Sequence, residues 1–145
     1  MPTAYTAVQT GAADTVPGVG DGHAIKAISG VFALTAALAA GDTISTPNLP
    51  NGATVLDVIL STTDLDTNGT PTITFDVGDA AVANRYIAAS NVGQAGGVAR
   101  MNQGGAAPFT LTSKGPVVAK VNAGPATGAT TGTVAVTVLF LPPFA

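Results

Sequence analysis

Residues 132–141 read GTVAVTVLFL. Val134, Val136, Val138 and Phe140 alternate there with Ala135, Thr137 and Leu139. Successive side chains of a strand point to opposite faces, so a period of two gathers the large apolar set on one side. Val and Thr are stiff at χ1 and suit a pleated strand better than a helix. Pro142-Pro143 stops the run, because proline has no N–H for the ladder. The stretch predicts a long terminal strand.

The same style recurs upstream. TPTITFDVG (70–78) sets Ile73, Phe75 and Val77 inward against Thr72, Thr74 and Asp76. ATVLDVILS (53–61) places Val55, Asp57 and Ile59 on one face and Leu56, Val58 and Leu60 on the other. Both faces are mostly apolar, which marks a central strand. Shorter candidates are Arg85–Ala88, Val98–Met101, PFTLTS (108–113) and PVVAKVN (116–122). The last two flank Lys114-Gly115, read as a hairpin turn. HAIKAIS (23–29) and GVFALTA (30–36) alternate less cleanly. LAAGD (38–42), PNLPNG (47–52), Asn68-Gly69 and GPATGATTG (124–132) are turn or loop signals, the last a flexible tip. The Ala-rich run 33–40 has helical propensity, but Gly30, Thr35 and Gly41 leave no room for a long helix. Short strands at this spacing predict an all-β chain. The expected fold is a single antiparallel β-sandwich, jelly-roll-like, over residues 23–145.

Residues 1–22 differ. They hold mainly Thr, Ala, Gly and Pro, without periodicity. Such a segment cannot build its own core and reads as an extended N-terminal arm. Tyr5, Val8, Val16 and Val19 are its apolar side chains and its candidate interaction residues. They can fill shallow pockets on a partner while the backbone adds to a sheet edge.

Composition narrows function. Only 9% of the chain is charged, against roughly 25% in average soluble domains. It has no Glu, Cys or Trp, and one His. Acids, bases, nucleophiles and ligands are therefore scarce, which favours a structural protein over an enzyme. The net charge is -3, and Lys26, Arg85, Arg100, Lys114 and Lys120 are scattered. Phosphate neutralisation needs clustered cations, so no nucleic-acid partner is expected. No polybasic run points to an anionic membrane. The weakly polar stretch Val31–Gly41 is far below the roughly 20 residues that span a bilayer. The start, MPTAYTAVQTG, lacks the basic and apolar regions of a signal peptide. A positive mean hydropathy in so small a chain points to apolar surface buried between subunits, and hence to a homo-oligomer.

Few motifs carry chemistry. Asp64-x-Asp66-x-Asn68-Gly69 resembles the opening of a calcium loop, with alternating oxygen ligands and a turn glycine. Its twelfth position is Phe75 where a bidentate Glu is needed, and strands flank it. An Asx-rich turn is the preferred reading, leaving Asp64, Asp66 and Asn68 as a weak metal candidate. His23, Asp21 and nearby serines lack any nucleophile context. Asp57, within an apolar strand, needs a partner such as Arg85 or Arg100. GVGDG and GQAGG lack the lysine and helix of a phosphate cradle. The aromatics are too dispersed to stack bases.

ALTAALAAGDTISTPNLPNGATVLDVIL (33–60), DLDTNGTPTITFDVGD (64–79) and RYIAAS (85–90) resemble segments of small structural proteins of tailed bacteriophages. These are most often capsid decoration (cement) proteins, and the likeness runs over about residues 25–141. The resemblance implies a virion protein on the capsid surface, made in the host cytoplasm. It implies the major capsid protein as partner, and a symmetric homo-oligomer with a trimer favoured over a dimer. It implies no cofactor and no catalytic residue. A tail or head-fibre component is the rival within the virion. A carbohydrate-binding or adhesion module is the rival outside it, weakened by the absence of Trp.

Overall fold

The computed structural model describes residues 24–143. The arm assigned to residues 1–22, with Tyr5, Val8, Val16 and Val19, lies outside the described residues, as does His23. Nine strands follow: β1 (Lys26–Ala33), β2 (Thr43–Ser45), β3 (Thr54–Thr62), β4 (Thr74–Gly78), β5 (Ile87–Ser90), β6 (Gly97–Arg100), β7 (Phe109–Thr110), β8 (Val118–Ala123) and β9 (Thr133–Leu141). A 3-10 turn at Val92–Gln94 is the one helical element among the described residues.

Two antiparallel sheets form. The first runs β1-β9-β3-β6, with β7 also on β3; the second runs β2-β8-β4-β5. β1 pairs with β9, β2 with β8, β3 with β6 and β4 with β5. The chain is thus one long hairpin whose successive strand pairs fall in opposite sheets. Rolled up, that hairpin makes the two Greek keys of a jelly roll. The expected all-β sandwich is what forms.

Alternation builds the core. Val134, Val136, Val138 and Phe140 of β9 are buried, and so are Ile73, Phe75 and Val77 on or just before β4. They face one another across the sandwich with Leu60, Ile87, Ala119 and Val121. Each fully buried Val, Ile or Phe contributes about 1.5–3 kcal/mol by leaving water.

β3 departs from the sequence reading. Its pairing with β9 shifts between Val55↔Phe140 and Asp57↔Leu139. This bulge inserts a residue and turns Val55 inward with Val58 and Leu60. Asp57 and Ile59 stay on the outside, so Val55 does not share their face. β3 is central, as expected, lying between β9 and β6. The expected hairpin about Lys114-Gly115 does not form. β7 pairs with β3 in the first sheet, while β8 pairs with β2 and β4 in the second. Gly115 instead bridges Leu49 of the PNLPNG turn, and Leu49 is fully buried. An apolar side chain inside a turn-like sequence pulled that loop into the core. The turn itself ends at Gly52, whose φ of +84° suits glycine.

Gly30 marks where the two sheets meet at their open side. It is buried in β1, and a β-carbon there would overlap the Ser45 carbonyl of β2. We predict that Gly30→Ala destabilises the fold by about 1–3 kcal/mol, in line with overpacked sites. Gly104→Ala, with nothing near its β-carbon, should be close to neutral in the same urea titration. Equal midpoints for the two variants would refute this close approach.

Candidate interaction surface

The two outer faces of the sandwich are unlike. On the second sheet, the outward positions are Thr43 and Ser45 of β2, Val118, Lys120 and Asn122 of β8, Thr74 and Asp76 of β4, and Ala88 of β5. Polar residues dominate that face. On the first sheet, they are Ala27, Ser29 and Val31 of β1, Ala135, Thr137 and Leu139 of β9, Asp57, Ile59 and Ser61 of β3, and Val98 and Arg100 of β6. Small and apolar residues dominate. Val31 is 69% exposed and Val98 64%. Among the described residues the face carries one ion pair, Arg100 with Asp57, and a 2.8 Å hydroxyl pair between Ser29 Oγ and Thr137 Oγ1. Arg100 is thus the partner that Asp57 required. Such a face is suited to flat, shape-complementary contact rather than to catalysis.

The Asp64–Asn68 loop is an Asx structure. Asp66 is 1% exposed. Its carboxylate accepts N–H groups from Thr72 at 2.7 Å, Ile73 at 3.2 Å, and Ala126 and Thr127 at 2.9 Å each. Asp64 Oδ1 accepts the Asp66 N–H, and Asn68 Oδ1 that of Thr70. The three candidate metal ligands therefore serve backbone donors, and the Asp66 lone pairs are taken. Burial raises the Asp66 pKa, but the N–H bonds from Thr127, Thr72, Ala126 and Ile73 outweigh it and hold the group far below the usual carboxylate range. The knot also ties down residues 124–128, which the sequence suggested as a free tip. Asp66 bridges Gly128, and Thr67 N–H bonds Thr127 carbonyl at 2.9 Å.

A second polar cluster fixes the opposite loops. Arg85 Nε donates to Asp79 Oδ2 at 2.5 Å, and its guanidinium lies 3.9 Å over the Phe109 ring. Burial raises the Asp79 pKa, yet Arg85 and the amides of Val82 and Ala81 bring it below its ordinary value. Phe109 meets buried Tyr86 edge-on, centroids 6.5 Å apart. Burial, then the charge of Asp79, pushes the Tyr86 phenol up, so it stays protonated. These groups hold one another in place.

The apolar outer face was not read from the sequence. Its signal was present in the outward positions Ala135, Leu139 and Val98, where a solvated sheet would carry charge or long polar chains.

No protein-family model and no curated protein matches this chain. Solved structures do. A chain of the cyanophage Pam1 capsid asymmetric unit is 40% identical, with a TM-score of 0.80, covering 99% of this chain and 100% of its own. A chain of the Ralstonia phage GP4 capsid is 36% identical, with a TM-score of 0.77, covering 92% and 94%. A chain of the acid-stable capsid of Helicobacter pylori bacteriophage KHP30 shares the fold at 21% identity, with a TM-score of 0.60, covering 83% and 90%.

Asp66 yields a pH prediction. Its folded pKa lies below the unfolded value near 3.9, so its stabilisation is full above that pH. Below it, the unfolded chain takes up a proton that the folded chain refuses, and stability falls with pH. Asp66→Asn should lower the melting temperature by several degrees at neutral pH, and the gap to wild type should narrow as pH drops from about 4 toward 2. A constant gap across that range would contradict the role given to the carboxylate.

Proposed function

This chain belongs to the family of phage capsid chains found in the Pam1 and GP4 particles, and we propose that it is a decoration (cement) protein. In this reading it binds the outside of the major capsid protein lattice and stabilises the head. Each copy touches two or more capsid subunits, so expansion or rupture must break its contacts. It acts without cofactor, metal or catalysis. It is made in the host cytoplasm and works as a homo-oligomer, a trimer favoured over a dimer. Residues 1–22 are its arm, with Tyr5, Val8, Val16 and Val19 as anchors.

The observation that carries this reading is the asymmetry of the two outer faces. A protein free on both sides gains nothing from a sheet face where Ala, Val, Leu and Ile dominate, the hydroxyls of Ser29 and Thr137 bond each other and the charges of Asp57 and Arg100 cancel. A protein laid against a lattice does, and its polar second sheet then meets water. Individual contacts can be weak. Copies linked into an oligomer raise one another's effective concentration, and overall binding exceeds any one contact by about 10²–10⁴.

The test is occupancy on undecorated heads. Wild-type protein should saturate the lattice, and high salt should change binding little, because charge is sparse. Val98→Asp places a charge on the apolar face at an exposed site and should cut affinity by roughly tenfold or more, since desolvating an unpaired charge is costly. Lys120→Ala, on the polar face, should leave it unchanged. Undiminished binding by Val98→Asp, or loss only with Lys120→Ala, would assign the docking face to the other sheet. Absence of any binding to the heads would reject decoration.

A further inference from the structure

Each sheet ends in two edges, and three of the four are protected. β2 has three residues. β5 has four, a register shift against β4 between Phe75 and Val77, and Ala89 at a φ of +50°. β6 has four; its first residue, Gly97, and Gly96 before it are both at positive φ. Short, irregular edges resist pairing with other chains. Among the described residues β1 is the exception. It runs from Lys26 to Ala33 without proline, and its register against β9 is unbroken.

The register shows which groups are free. Leu34 N–H donates to Gly132 carbonyl at 2.8 Å. The antiparallel pattern then turns the N–H and C=O of Ile28, Gly30 and Phe32 toward β9. Those of Ala27, Ser29, Val31 and Ala33 point out from the sheet. The exposed large apolar side chains gather at the same edge: Ile25 at 61%, Val31 at 69% and Phe32 at 40%. Beneath it lies a groove of about 420 Å³ lined by Phe32, Leu38, Gly41, Asp42, Thr43 and Ile44. The edge thus offers a ladder on its rim and an apolar slot on its inner side.

We infer that this edge and groove receive residues 3–10 of a second copy of this chain as an added strand. The inference rests on the homo-oligomer reading above and specifies how the copies join. TAYTAVQT (3–10) is uncharged and rich in strand formers. The period of two puts Tyr5 and Val8 on opposite faces. On that pairing, the groove lined by Phe32, Leu38 and Ile44 is the slot offered to Tyr5, and Val31 on the outer face is the neighbour offered to Val8. The segment 11–22, GAADTVPGVGDG, joins this strand to the residues before β1. A fold-back onto the same chain's β1 needs a loop of about two to five residues. Twelve residues rich in Gly reach about 40 Å when extended, which suits a crossing to a neighbour.

The chain has no Cys, so engineered pairs report cleanly. Two differently tagged chains, one carrying Val8→Cys and the other Val31→Cys, are co-expressed without capsid and oxidised. The expected product is a disulfide-linked heterodimer in high yield. No heterodimer, or a double variant that cross-links only within itself, overturns the inference. Val31→Pro removes one outward N–H and no bond to β9. It should turn the oligomer into a monomer by light scattering, with its melting transition retained. Val31→Thr, which keeps the N–H, should stay oligomeric. Tyr5→Ala should weaken assembly at least about tenfold. A Val31→Pro protein that folds and keeps the wild-type mass also overturns the inference. If Val31→Pro fails to fold, the cross-link decides alone. Because no capsid is present, a failure here is separate from a failure to decorate heads.

Discussion

β9 is bonded along its length on both sides, from Lys26↔Phe140 to Ala33↔Thr133 on β1 and from Thr54↔Leu141 to Thr62↔Val134 on β3. Those ladders join the last strand of the described chain to the first and to the third. Loop-closure entropy opposes such distant pairings, and only the burial rewarded along β9 offsets it. β8, the strand before β9, lies in the opposite sheet between β2 and β4, as the rolled hairpin requires. The face of β9 turned inward fills the core with Val134, Val136, Val138 and Phe140. The face turned outward supplies Ala135, Thr137 and Leu139 to the surface assigned to docking. Fold and candidate function are therefore the two sides of one strand.

Polar groups close the ends of this sandwich. Asp66 collects N–H donors from residues 72–73 and 126–127, loops far apart in sequence. Arg85, Asp79 and Phe109 do the same for other loops. A carboxylate surrounded by backbone N–H groups is worth keeping ionised and buried because each bond is charge-assisted. Charges are few; Asp66, Asp79 and Arg85 fix loops, while Asp57 and Arg100 neutralise each other on the apolar face.

Much of the fold was legible in the sequence. The β4 and β9 alternations gave their inward residues directly, because period two survives wherever a strand stays regular. β3 misled at Val55, because a bulge changes phase without a sequence mark. PFTLTS and PVVAKVN looked like a hairpin, because adjacency in sequence does not reveal that a chain is crossing between sheets. The Asp66 knot was half legible. The Asx turn could be read locally, but donors at Ala126 and Thr127 could not be paired with it from sequence. The apolar outer face escaped notice because Ala and Val at outward positions are each unremarked alone, and only the register aligns them across β1, β9, β3 and β6. The same holds for the open edge of β1, which is an edge only once the strand order is known.

The central claim is that this chain lies on the outside of a phage head with its first sheet toward the lattice. Cryo-electron microscopy of the source particle tests it most directly. The account predicts hundreds of copies arrayed over the shell, with Ile59, Val98 and Leu139 at the capsid contact and Lys120 facing solvent. A handful of copies at a tail or a single vertex, or the second sheet against the shell, would contradict it.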